Sequence, residues 1–424
     1  MSSSALRSRT ALAVAGLSLV GLVGLVGLVG LVASASAAVG SAPAAPLCPP
    51  SWLGTTLTAH PTVSGDGRFV AFDARSPEGD SGGTSFVLLR DTQRGETVAI
   101  ARHTATALPY GPVISDDGSR VAYLVATETS GRQHDLYVYD RRTATSTFEG
   151  HADSGSEYDL SANGRYLTYR SAGTNEWDWS ITPDVYVRDI DRDRTTLVSV
   201  STTGGRGNGV SEGPTISADG RYVLFSSQAT NLSSDGDSAT NAMYVRDLRA
   251  GTTTLLRNAG DGSILTGLGE QLSPDGRYLV YHADRIYRYD RATGEKVTLG
   301  PVPNEDDRSV YGGVISDQGR FVGYGTTFLV GGDAGDAFSQ LNVIKVRTGT
   351  EEQANPGLGG DQPWTGAYLG AISPNGRYLT FYSDASNLAP GDTNDQFDVF
   401  VRDLWANHTV LASAPDPGPV GCTP

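Results

Sequence analysis

The sequence predicts an all-β fold, a seven-bladed β-propeller of four-stranded antiparallel blades. Three observations carry that prediction. A nine-residue hairpin signature occurs seven times, at spacings of 43 to 57 residues. A second strand-like module follows every copy. The first and last copies are as regular as those between them.

The signature reads SGDGRFVAF (64–72), SDDGSRVAY (115–123), SANGRYLTY (161–169), SADGRYVLF (217–225), SPDGRYLVY (273–281), SDQGRFVGY (316–324) and SPNGRYLTF (373–381). Asp-Gly or Asn-Gly between apolar runs is the strongest short hairpin signal, because both residues tolerate positive φ. The residues after the turn are rich in Tyr, Phe, Val and Leu, a strand composition. They are expected to alternate, with Arg277 and Leu279 on one side and Tyr278 and Val280 on the other. A short apolar strand precedes each Ser, as in GPVIS, GPTIS, GGVIS and LGAIS. The following module reads SFVLLRD (85–91), DLYVYD (135–140), DVYVRD (184–189), AMYVRD (242–247), RIYRYD (285–290), LNVIKV (341–346) and DVFVRD (398–403). A turn such as Arg291-Ala292-Thr293-Gly294 leads to a fourth strand like TTLVSV (195–200). Four strands, A to D, joined in order and repeated radially make propeller blades. A solenoid would need polar capping repeats at both ends, and a closed ring needs none.

The chain ends divide off from the repeats. Arg7 and Arg9, the apolar run from Ala11 to Val32 and the small residues Ala33-Ser34-Ala35-Ser36-Ala37 form a signal-peptide pattern, with cleavage expected near Ala37. Residues 38–56 are then an N-terminal linker with Cys48, 57–412 the propeller, and 413–424 a tail with Cys422. The protein is expected to be exported, to an oxidising compartment where a Cys48–Cys422 disulfide persists if the ring brings the ends together. The net charge is −15, and no stretch concentrates Lys or Arg. Such a surface repels nucleic acid and anionic membrane, so a nucleic-acid function is excluded.

SPDGRYLVY followed by RIYRYD and RATG resembles the WD-like propeller repeat of TolB-type proteins, over residues of about 57–412. The same repeat occurs in periplasmic scaffolds, in the propeller of prolyl oligopeptidase-type enzymes and in some polysaccharide lyases, so the fold does not fix the function. Three departures stand out. Copy two inserts Ser119 before Arg120, copy six has Gln318 for Asp, and copy six lacks the Asp that ends the third strand.

Length varies in the B–C connections (172–183, 227–241, 383–397) and in one D–A connection (202–211), which share a face of the ring. Variable loops on one face mark it as the binding face. The residues before strand A should ring the channel mouth there. Tyr110, Glu212, Tyr311 and Tyr368 stand five places before the signature Ser, and His60 and Glu157 four places before it. Trp177 and Trp179 lie in the long third-blade loop. Aromatic and acidic groups in that arrangement suit a sugar or a peptide.

Other motifs carry less. Gly79-Asp80-Ser81-Gly82-Gly83 and Thr58-Ala59-His60 echo trypsin-like motifs, but His60 precedes Ser81 by only 21 residues, with no room for the barrel between them. No α/β-hydrolase domain is expected after the propeller and no Gly-x-Ser-x-Gly elbow is read in the sequence, which excludes the prolyl oligopeptidase type of enzyme. The six histidines have no metal-ligand spacing. No cofactor is required, and calcium is the one candidate. Asp392, Asn394 and Asp398, and their counterparts Asp235, Asp237 and Asn241, place oxygen ligands at short intervals after a shared Asn-Leu.

The expectation is therefore an exported, monomeric, non-catalytic scaffold that binds a protein, peptide or glycan on the B–C/D–A face. The alternative is a propeller enzyme, a polysaccharide lyase or glycosidase, with its site at the channel mouth.

Overall fold

A computed structural model of the protein describes residues 47–50, 53, 57–76, 84–104, 106–127, 133–153, 158–172, 182–234, 241–300, 309–329, 337–361 and 365–416. Those residues form seven four-stranded antiparallel sheets, each of four consecutive strands, arranged as the blades of a ring. Blade 1 spans 57–102, blade 2 107–153, blade 3 158–197, blade 4 211–255, blade 5 268–299, blade 6 309–353 and blade 7 367–411. Among the described residues three single-turn 3₁₀ segments are the only helical elements beside the strands.

Each residue of the signature has a bond to make. In blade 4 the Ser217 hydroxyl donates to Asp219 Oδ1 (2.7 Å) and accepts from the Tyr222 N–H (2.9 Å). Asp219 accepts the Arg221 N–H at 3.0 Å, which closes the A–B turn. The Arg221 guanidinium forks onto Asp247, the last residue of strand C, at 2.6 Å. Asp247 also accepts the N–H groups of Arg249 and Ala250, so one carboxylate holds strand B and the C–D turn together. Arg68–Asp91, Arg165–Asp189, Arg277–Asp290 and Arg377–Asp403 repeat the latch. Blade 6 lacks the Asp, and Arg320 turns back to donate to the Asp317 carbonyl.

Blade 2 contains no insertion. Ser115 N–H bonds the Arg120 carbonyl as Ser64 N–H bonds that of Phe69, so the spacing is unchanged. Ser119 simply stands where the other blades have Arg, and Arg120 where they have the aromatic residue.

The signature glycine answers two demands. Gly220 has φ 72°, and a Cβ there would lie 2.1 Å from the Tyr166 ring of blade 3. The same contact joins Tyr378 to Gly67, Phe69 to Gly118, Arg120 to Gly164, Tyr222 to Gly276, Tyr278 to Gly319 and Phe321 to Gly376, a cycle that closes on itself. Guanidinium groups cover these rings, Arg221 at 4.6 Å from the Tyr222 centroid and Arg291 at 4.3 Å.

The hydrophobic cores lie between blades. Val70, Phe72 and Ala74 pack against Val399 and Val401 of blade 7, while Phe69 and Ala71 face Val121 and Tyr123 of blade 2. This corrects the expected in/out alternation of strand B. Phe69–Ala74 are buried without a break, because a blade is sandwiched between two neighbours and has no solvent face there. The ring closes by packing, and blade 7 lends no strand to blade 1. Thr380 Oγ1 donates to the Pro61 carbonyl (3.1 Å), and the Leu47 backbone bridges to Ala99 at the outer edge of blade 1.

Candidate functional site

Strand A of every blade borders a central channel and has no neighbour on that side, so its inward N–H groups need acceptors. The residue two places before the signature Ser supplies several. Thr62 Oγ1 accepts the Ile114 N–H, Asp159 Oδ2 that of Ile216 (2.9 Å), Thr215 Oγ1 that of Leu272 and Gln271 Oε1 that of Ile315. Each bond crosses to the next blade. Beside the A–B turns a main-chain collar runs round the channel. Gly65 donates to the Asp116 carbonyl, Asp117 to Ala162, Ala162 to Ala218, Ala218 to Pro274 and Asp317 to Pro374. Pro374 has no N–H to offer blade 1, and the Asn375 side-chain amide donates to the Gly65 carbonyl in its place (3.2 Å).

The channel encloses a cavity of about 340 Å³. Asp116 and Asp159 line it. Burial, then the charges of Asp117 and Asp317, lift Asp116 to about 6. Burial lifts Asp159 to about 7, against the two backbone N–H groups, of Ile216 and Leu160, that stabilise its charge.

His60 stands at the mouth, two residues beyond the channel-lining Thr62. It occupies the bulge of strand A with φ 51°, where sister blades place Gly111 (60°), Gly213 (61°) and Gly312 (65°). His is among the non-glycine residues that tolerate that region, so the bulge is kept while an imidazole replaces the hydrogen of glycine. His60 Nδ1 lies 3.0 Å from Oδ1 of Asp73, a buried residue of strand B. That hydrogen bond raises the His60 pKa above its ordinary value, with burial opposing. Tyr382 lies 6.3 Å away between ring centroids, Tyr368 stacks on Tyr382 at 4.9 Å, and Phe397 caps both at 5.8 Å. Tyr368 is 42% exposed.

The predicted rim is thus partly gathered and partly dispersed. His60 and Tyr368 share one cluster. Tyr110 is turned to His134, and Glu212 faces Arg170 at 3.4 Å. Tyr311 is packed in, donating to the Ala367 carbonyl, and burial pushes its hydroxyl up to about 12. Gly325 makes the room, since a Cβ there would meet the Tyr311 ring at 2.2 Å. Glu157, Trp177, Trp179, Asp235, Asp237 and Cys422 lie outside the described residues, while Asn241 is described and accepts from Gln228 Nε2.

Sequence reasoning missed Asp73, Tyr382 and the channel carboxylates. A signal was present. The position nine residues after the signature Ser holds Asp73, Leu124, Arg170, Ser226, His282, Gly325 and Tyr382, with no common chemistry inside an otherwise uniform strand. The Gly-x-Ser-x-Gly string also needs correction. It occurs at Gly79–Gly83, outside the described residues, and at Gly209–Gly213. In the second, Ser211 is buried at the start of strand A and bonded to Ser227, with no helix following, so it is no nucleophile elbow.

No family model matches the chain, and no curated protein matches it. Solved structures do. The β-propeller domain of the trilobed protease from Pyrococcus furiosus matches at a TM-score of 0.54 and 12% identity, over 87% of this chain and 98% of that one. The acylaminoacyl peptidase of Pyrococcus horikoshii matches at 0.52 and 13% identity, over 85% and 52%. A puromycin hydrolase matches at 0.54 and 13% identity, over 88% and 56%. The chain spans about half the length of these last two peptidases. At such identities the likeness carries the fold, a seven-bladed propeller. The expectation of a non-catalytic scaffold is corrected by these matches, since the matched propellers are parts of peptidases.

Proposed function

We propose that this chain is the propeller component of a peptide-hydrolysing system, and that it receives an extended peptide at the His60 mouth. The observation that carries the reading is the grouping of His60–Asp73 with the Tyr368, Tyr382 and Phe397 rings at one end of an acidic channel. The rings offer faces for side-chain stacking. The Asp116 and Asp159 carboxylates beyond them attract a peptide amino group. The peptidase propellers it resembles in fold support the choice of a peptide.

Peptide binding tests this. Titrating the full chain with labelled free and N-acetylated oligopeptides should show tighter binding of the free amine. Tyr368→Ala should weaken it about 5- to 30-fold, the usual cost of losing an aromatic anchor. Equal, negligible binding of both peptides by the unaltered protein overturns the reading.

A second reading is a propeller enzyme acting on polysaccharide. What favours it is the pair of channel carboxyls, Asp116 and Asp159, lifted into the range where a carboxyl exchanges protons near neutrality. Product formation from a polysaccharide panel, lost in Asp116→Asn, would select it over the first.

The chain is further proposed to be exported, to be of the TolB type, and to pair Cys48 with Cys422. The last is supported by Cys48, the one described cysteine, not being a free thiol, and by the Arg90–Asp416 contact that brings the C-terminal segment to blade 1 (3.3 Å). Intact mass before and after reduction tests the pairing.

A further inference from the structure

The loop between strands B and C of blade 7 holds a carboxylate that no basic side chain among the described residues neutralises. Asp392 is 8% exposed, and both its Oδ atoms are buried without a hydrogen-bond partner. Six residues on, Asp398 is fully buried at the start of strand C. Its Oδ1 accepts from the Ser413 hydroxyl and its Oδ2 from Asn394 Nδ2 (2.8 Å). Asp384, which opens the same loop, also has a buried, unpartnered Oδ1.

Blade 3 provides an internal control. Asp184 starts strand C there too, opposite Ser171 as Asp398 is opposite Ser383. It accepts from the Ser199 hydroxyl at 2.6 Å, as Asp398 does from Ser413. The other oxygen of Asp184 meets the Arg206 guanidinium. In blade 7 the cation is missing. Among the described residues neither Asp392 nor Asp398 has a basic partner, and a second carboxylate occupies the loop instead. Two buried acids with no counter-charge are a costly arrangement unless an ion completes it.

We propose that this loop binds a calcium ion through Asp392 and Asp398, with amide and carbonyl oxygens of the loop and water filling the remaining positions. The donors are all oxygen, the set a hard divalent cation takes, and calcium accepts irregular shells of six to eight. No three acidic, His or Cys side chains are gathered as a ready-made ligand set among the described residues, so the loop must draw on amide and carbonyl donors. Two carboxylates place the site with the weak extracellular modules, at dissociation constants of roughly 10⁻⁴–10⁻³ M. Phe397 lies inside this loop and packs on Tyr368 and Tyr382, so the ion would also fix one wall of the mouth.

Thermal unfolding of the full chain in chelator, in magnesium and in calcium up to about 10 mM tests this, the upper limit being set above the weakest such constants. The unaltered protein should gain several degrees in calcium and little in magnesium. Asp392→Asn should unfold in chelator at or above the unaltered protein's temperature, since it removes a repulsion, and should lose the calcium response. Asp184→Asn, in blade 3, should destabilise the protein and keep the response. Terbium luminescence, excited through nearby tyrosines and displaced by calcium, gives a second readout on the same variants. No calcium shift in the unaltered protein, or a full shift in Asp392→Asn, overturns the assignment.

Discussion

The two ends of the channel are built on opposite plans. At the A–B end most blades contribute the same parts: a Ser–Asp or Ser–Asn turn, an Arg–Asp latch, an aromatic ring on the next glycine and a collar bond. At the other end the equivalent positions hold unrelated residues, from Asp73 and Tyr382 to Gly325. The uniform end solves one packing problem repeatedly, while the irregular end is free of that problem and varies in chemistry from blade to blade. A departure from the repeat therefore means something different at each end. Arg120, in an aromatic position, still packs on Gly164. His60, in a glycine position, faces the mouth.

The sharpest way to break the contrast is with glycines. Gly220→Ala must adopt φ 72° against the Tyr166 ring and should cost roughly 2–4 kcal/mol in urea unfolding. Gly204 on the D–A loop has φ 88°, and a Cβ added there would meet nothing within 4 Å, so Gly204→Ala should cost only about 1 kcal/mol. Equal costs would show that the two ends are not differently constrained.

The latch comes next. The Arg221 hydrogen bond holds Asp247 down to about 2. An Asp depressed in the folded state contributes stability that is present above its unfolded value of about 3.9 and lost as pH falls towards 2. Arg221→Ala should lower stability only modestly at pH 7, since the pair is part exposed, and should flatten that acid limb.

The channel carboxylate has the opposite sign. Asp159 is raised to about 7, so the folded state holds its proton longer and stability falls as pH rises from about 4 to 7. Asp159→Asn should shrink that decline between pH 5 and 8. An unchanged slope would place the pH dependence elsewhere.

The smallest stability effect belongs to the mouth. Asn tolerates positive φ and can donate to Asp73, so His60→Asn should change stability by less than about 0.5 kcal/mol at pH 8. Because the His60 pKa is raised, its pairing stabilises fully below about 6.5 and fades as pH climbs through the folded value. The variant should lose that dependence, and its peptide binding should drop.

The fold was legible because its signals are local. Asp-Gly turns, strand composition and the Asp ending strand C all sit within one copy of the repeat. The site was legible only in part, because its partners are set between copies or between distant strands. Nothing near Tyr311 in sequence says that Gly325 will admit its ring. Asp73 meets His60 only because a bulge turns strand A at that residue. The chain of side-chain acceptors through Thr62, Asp159, Thr215 and Gln271 likewise crosses a blade junction at each step.

Every sheet is made of four consecutive strands, so no blade borrows from the far end of the chain. Cutting the backbone in a D–A connection and rejoining it elsewhere would leave all the sheets whole, and a circularly permuted gene should still encode the same ring. Nor does the topology lock the number of blades. That number follows from the angle between neighbours, which is set by the volume of the side chains wedged into each junction. A junction repacked with larger or smaller residues is the place where a lineage of such rings could gain or lose a member.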